Sequence, residues 1–161
     1  MICFILFERC ASLNNFVMLV GFPGAGKSTF ASELVKKNYH VWSTDSIREE
    51  FDMHDPEQIT TVLGIIQERI KMSSECGANI VYDSTNLYKK RRIEILNLPY
   101  LFNYKKICVI FDTPLDICME RNSHRQGYAR VPDEEYGILE KLYRKPVYKE
   151  GWDHILTMRG D

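Results

Sequence analysis

Residues 21–28, Gly-Phe-Pro-Gly-Ala-Gly-Lys-Ser, follow the pattern G-x-x-x-x-G-K-[ST], and Thr29 comes next. Glycines at these places let consecutive backbone N–H groups converge on one anion with no Cβ in the way. An apolar run, 16–20, precedes the pattern, and helically spaced residues follow it. The N-terminus of such a helix carries a field that favours phosphate. Lys27 is long enough to reach the β- and γ-phosphates of a triphosphate, and the Ser28 hydroxyl can ligate Mg²⁺. Gly21, Gly24, Ala25, Gly26, Lys27, Ser28 and Thr29 are therefore expected to hold a nucleoside triphosphate. That chemistry is binding, and the reaction must be read from other residues.

Asp45 and Arg48 stand three apart at the end of a second short strand, so one helical turn puts both on one face. A carboxylate there can orient an acceptor hydroxyl and take its proton. The arginine can clamp an acceptor phosphate. The alternative is an N-cap aspartate beside a surface arginine. Asp83 ends another strand and opens Asp83-Ser84-Thr85-Asn86. It either holds Mg²⁺ through water, organises Arg48, or caps a helix. Residues 89–92, Lys-Lys-Arg-Arg, read as a solvated helix face. Asp112 also ends a strand, as a metal-binding carboxylate or as the cap of the helix after it. In 121–130, Arg121, Arg125 and Arg130 share a polar loop containing Gly127. Guanidinium groups stabilise the charge that spreads over a transferring phosphoryl group, and a loop can close them over it. His124 has no metal-ligating neighbours.

The elements that must position these residues alternate. Runs 16–20, 40–42, 79–82, 107–111 and 154–158 read as strands. Helices are expected over 28–37, from Asp45 to Phe51, and over 56–75 with Ile59, Val62, Leu63, Ile66 and Ile70 on one face. Further helices are expected over 88–96, over 114–122 with Pro114 in the first turn, and from an Asp133 cap to Tyr143. Alternation of this kind implies an α/β fold: a parallel sheet with helices on both faces. Its ligands should sit beyond the carboxyl ends of the strands. No repeat or linker divides the chain, so 1–161 reads as one domain. Residues 1–14 are an N-terminal extension without an assigned role.

Composition limits the partners. With 161 residues the chain can bury a sizeable core without disulfide or metal staples. Its 21 Lys and Arg against 22 Asp and Glu leave a net charge of −1, which excludes a strongly basic nucleic-acid coat. Charge is segregated, however: residues 86–130 hold nine Lys/Arg and four Asp/Glu, which suits a basic cleft. No apolar run approaches the roughly 18 residues of a membrane span, and no membrane partner is expected. The five scattered cysteines lack a C-x-x-C pair and suit a reducing cytoplasm.

Gly21 to Thr29, Asp45-x-x-Arg48, Asp83-Ser84-Thr85-Asn86-Leu87 with Arg91-Arg92, and Arg121-Asn122-Ser123-His124-Arg125 before Val131-Pro132 resemble one family. It is the P-loop 5′-polynucleotide kinases of phages and repair enzymes, to which zeta-toxin-like kinases are related. The likeness runs over about 16–145. It implies ATP and Mg²⁺, a P-loop kinase sheet of five parallel strands, and an arginine-rich lid. It also implies that Lys27 binds phosphate, Asp45 is the general base, Arg48 contacts the acceptor-strand phosphate and Arg125 is the lid arginine. The expected activity is transfer of the γ-phosphate to a hydroxyl, foremost the 5′-OH of a polynucleotide. A small-molecule acceptor such as a nucleoside, sugar or amino-sugar is the alternative. A nucleotide-gated binding module is the other, though a switch needs neither the arginine-rich lid nor the Asp45/Arg48 pair.

Overall fold

Five strands pair in parallel throughout the computed structural model, which describes residues 13–53 and 55–159. They are β1 (Asn15–Val20), β2 (Tyr39–Ser43), β3 (Asn79–Asp83), β4 (Lys105–Phe111) and β5 (His154–Met158). Their order in the sheet is β2-β3-β1-β4-β5, with β1 central between β3 and β4. From Phe16 to Val20, β1 is an uninterrupted apolar run because helices cover both of its faces. Phe16, Met18 and Val20 enter one core and Val17 and Leu19 the other, all fully buried.

Six helices supply those covers: α1 (Lys27–Val35), α2 (Thr44–Glu50), α3 (Ile59–Glu75), α4 (Lys89–Leu96), α5 (Leu115–Ser123) and α6 (Glu135–Leu142). Val62, Ile66 and Ile70 of α3 join Ile95 and Leu96 of α4 under one face. Ala31 and Leu34 of α1, Cys118 of α5 and Tyr136 of α6 fill the other. The carboxyl ends of β1, β2 and β3 thus open onto α1, α2 and the loop before α4, where a ligand crevice is expected.

Local departures from the expected elements have identifiable causes. The 56–75 helix begins as a 3-10 turn, Pro56–Gln58, and becomes α-helical at Ile59. Pro114 is extended at ψ 143°, so it flanks α5 instead of starting it. Asp133 does not cap α6. The turn from Pro132 runs straight into the helix, and backbone carbonyls of Pro132 and Asp133 take the N–H groups of Glu135 and Tyr136. Arg92 is not on a solvated face: it is fully buried, unlike its exposed neighbours Lys89, Lys90 and Arg91. Residues 1–12 of the extension lie outside the described residues; the Asn14 carbonyl accepts from Lys105 N at 2.9 Å.

Candidate active site

The glycine loop is fixed by its carbonyls. Tyr136 Oη donates to Pro23 O at 3.0 Å, and Thr113 Oγ1 donates to Ala25 O at 3.0 Å. A trans peptide sets its N–H opposite its C=O. With those two carbonyls held by the body, the N–H groups of Gly24 and Gly26 are aimed the other way, into a cleft of about 570 Å³. Two glycines are obligatory here. Gly24 has φ 81°, and a Cβ on it would stand 2.2 Å from Cys118 O; Gly26, the N-cap of α1, has φ 97°. Gly21 N donates to Thr85 O at 3.1 Å, which joins the loop to the segment after β3. Asn86 adds a second tie there, its side-chain amide donating to Leu19 O at 2.8 Å.

Lys27 is buried at the base of this loop, with Nζ donating to Gly21 O at 2.9 Å and Phe22 O at 2.7 Å. Burial pushes its pKa down to about 8, opposed by the charges of Asp83 and Asp45 and assisted by Arg125. Asp83, buried at the end of β3, accepts a hydrogen bond from the Ser28 side chain. Burial raises its carboxyl above the usual range; Lys27 pulls it down and Asp45 pushes it up. Asp45, in the first turn of α2, is coupled to the same lysine. Desolvation raises its carboxyl too, against Lys27, Arg125 and Arg48. Neither aspartate is a helix cap. Ser43 Oγ caps α2 by accepting from Asp45 N and Ser46 N, and Tyr88 occupies the N-cap of α4. Lys27, Asp45, Asp83 and Arg125 therefore form one electrostatic cluster contributed by four separate elements.

The remaining arginines sort by position. Arg48 faces Asp45, and its Nη1 donates to Met53 O at 3.2 Å and Asp55 O at 3.3 Å. Arg121 and Arg125 line the cleft with Gly24, Ala25, Gly26, Thr29, Phe30 and Phe111. Arg125 Nη1 also donates to Ala129 O at 3.2 Å inside its own loop. Arg130 instead borders a separate hollow with Pro132, Asp133 and Glu134. The two ends of the arginine loop are joined by Asn122, buried at the end of α5, whose side chain accepts from Val131 N and donates to Val131 O.

Asp112 is exposed at the end of β4, and its charge bears on Tyr143 instead of Lys27. The carboxylate bonded to Ser28 is Asp83. Together, the Ser28 hydroxyl and the Asp83 carboxylate present hard oxygen donors beside the glycine loop, a set that fits Mg²⁺. Sequence reasoning missed Thr113, Tyr136 and Asn122, whose partners are distant or across a loop. It missed the Arg92–Glu150 pair as well. Both side chains are fully buried, and two hydrogen bonds of 2.8 Å link them. Arg92 also donates to the carbonyls of Asn86, Leu87 and Arg144, and so holds the loop after Asp83 in place.

Known proteins resemble this chain at a distance. The L-seryl-tRNA(Sec) kinase of Methanococcus maripaludis is 26% identical over 146 residues, covering 85% of this chain and 55% of that protein. A protein named as a bifunctional polynucleotide kinase/RNA ligase, from Autographa californica nuclear polyhedrosis virus, is 26% identical over 169 residues. That match covers 93% of this chain and 23% of the viral protein. The chain thus spans about half or less of the length of these curated relatives. A sugar kinase from Janibacter sp. HTCC2649 shares the fold with a TM-score of 0.65 at 17% identity, covering 91% of this chain and 85% of that one. The five parallel strands flanked by helices are the P-loop kinase fold. The family model AAA_33, described as an AAA domain, matches residues 16–146, and the chain belongs to that family.

Proposed function

We propose that this chain is one domain, an ATP-dependent kinase, and that its acceptor is the 5′-hydroxyl of a polynucleotide. The observation that carries the reading is the cluster itself. Asp45, a carboxylate whose pKa desolvation raises, feels the charges of Lys27 and Arg125, so a base, a phosphate-binding lysine and a lid arginine act on one another. A nucleotide-binding switch needs the loop but no base opposite it.

In this reading the amides of Gly24 and Gly26 and the Lys27 ammonium hold the triphosphate. The aromatic side chains of Phe30 and Phe111, in edge contact at 5.7 Å, form the apolar wall of the cleft where a base fits. Ser28 and Asp83 would hold Mg²⁺, which would supply charge neutralisation on the phosphate oxygens. Asp45 accepts the proton of the incoming hydroxyl while the hydroxyl oxygen bonds to the γ-phosphorus. The bond from that phosphorus to the β,γ-bridging oxygen breaks, and ADP leaves with its electron pair. Arg125 stabilises the charge of the transferring group, and Arg48 orients the acceptor.

Both curated relatives described above carry kinase in their names, one with a tRNA and one with a polynucleotide as the named target. The test is transfer of labelled γ-phosphate to oligonucleotides bearing a 5′-hydroxyl, beside a panel of nucleosides, sugars and amino-sugars. Preference for the strand end supports the reading. Labelling of a small alcohol in its place would reassign the acceptor while keeping the chemistry.

A further inference from the structure

The loop after Asp83 and the segment after α6 lie side by side. Arg144 N donates to Leu87 O at 3.1 Å, Arg92 donates to Arg144 O at 2.8 Å, and the 3-10 turn Tyr148–Glu150 packs on α4. Their junction touches the active site, since Tyr143 packs edge-on against Phe22 of the glycine loop at 5.8 Å. Lys89, Lys90 and Arg91 precede Arg92 on α4, and Lys145 and Lys149 adjoin Arg144 and Glu150 on the later segment, all five exposed. Among the described residues none of the five is ion-paired. The acid of that segment, Glu150, is turned inward onto Arg92. Two tyrosines lie in the same strip, Tyr88 at 42% exposed and Tyr148 at 62%.

We infer that this strip is a track for the single-stranded body of the acceptor, beyond the terminal nucleotide held at Asp45 and Arg48. The inference rests on the polynucleotide reading above and goes further by assigning the surface. Neighbouring cations with no ion-pair partner among the described residues repel one another, and a phosphodiester backbone relieves that repulsion. Exposed aromatic rings next in sequence to these cations offer stacking faces for bases, a combination that suits single strands of any sequence. The near-neutral net charge of the whole chain does not oppose this, because these cations belong to two segments that pack together.

The test measures KM for two 5′-hydroxyl acceptors, a dinucleotide and a single strand of about sixteen nucleotides, over a range of salt. The wild-type protein should show the lower KM for the longer strand. Lys145→Glu combined with Lys149→Glu should raise that KM roughly tenfold with kcat kept, so that the length preference disappears. The slope of log KM against log salt should fall by about 1.4, two phosphate contacts at about 0.7 each. A Lys89→Glu, Lys90→Glu variant should act the same way, with melting temperatures confirming that both variants fold. Equal KM values for the two lengths in the wild type, or an equal rise for both in the variants, would overturn the track and leave the acceptor reading standing. If neither strand is phosphorylated while a small alcohol is, the acceptor reading fails and takes the track with it.

Discussion

Tyr136 Oη and the Pro23 carbonyl, 113 positions apart in sequence, are joined by a 3.0 Å hydrogen bond. The bond turns a carbonyl of the glycine loop inward and leaves the Gly24 N–H facing the cleft. Tyr136→Phe should keep the packing and lose the donor. We expect about 1 kcal/mol less stability in denaturant unfolding and a several-fold weaker ATP affinity by calorimetry. An unchanged ATP affinity would show that the loop holds its shape without the tie.

Asp45 should set the acid limb of the pH–rate profile. Its carboxyl pKa is raised by desolvation, so the basic form is gained at higher pH than for an ordinary aspartate. Activity should rise with pH through that raised value, and kcat/KM for the acceptor reports it. Asp45→Asn should remove the limb along with the base, lowering kcat about 10²- to 10⁴-fold. A limb at the ordinary carboxylate position would contradict desolvation of the group.

Arg125 acts on Lys27, Asp45 and Asp83 from a loop that Asn122 closes at both ends. Arg125→Ala should lower kcat by about 10²-fold or more while ATP dissociation changes only a few-fold. Asn122→Ala should produce a weaker version of the same split, because it frees the loop and keeps the arginine. Equal losses in kcat and ATP affinity would mean that Arg125 binds the ground state.

The Arg92–Glu150 pair is fully buried, and breaking it leaves an uncompensated charge. Arg92→Met should cost about 3–5 kcal/mol of stability. Pairing it with Glu150→Gln should recover part of that loss, since the stranded carboxylate is gone. The loop after Asp83 would remain slack in both variants, because Arg92 also ties the carbonyls of Asn86 and Leu87. Chemical denaturation of the single and double variants measures the coupling.

The physical signals that reached the sequence were local ones. β1 was legible because a central parallel strand must be apolar on both faces, and 16–20 is. Lys27 and Ser28 were legible because glycine spacing and a following helix already specify a phosphate cradle. The choice between Asp83 and Asp112 was not, since both end strands that flank β1. Register separates the two in the fold. Asp83 is level with Leu19, whereas Asp112 comes two residues after Ile110, the partner of Val20, and its backbone N–H is held by Met158 O. The burial of Arg92 was equally hidden, because its partner lies 58 residues away and its neighbours are solvated. The supposed Asp133 cap failed for a local reason that composition does not carry, a turn whose backbone carbonyls reach the helix first.

The most direct test compares wild-type protein with Asp45→Asn in a single experiment, following labelled γ-phosphate, ADP release and ATP affinity with a 5′-hydroxyl oligonucleotide and Mg²⁺. The account predicts one labelled 5′ end per ADP for the wild type. For the variant it predicts a rate lower by about 10²-fold or more with ATP affinity retained. An Asp45→Asn protein that labels strand ends at the wild-type rate would contradict it.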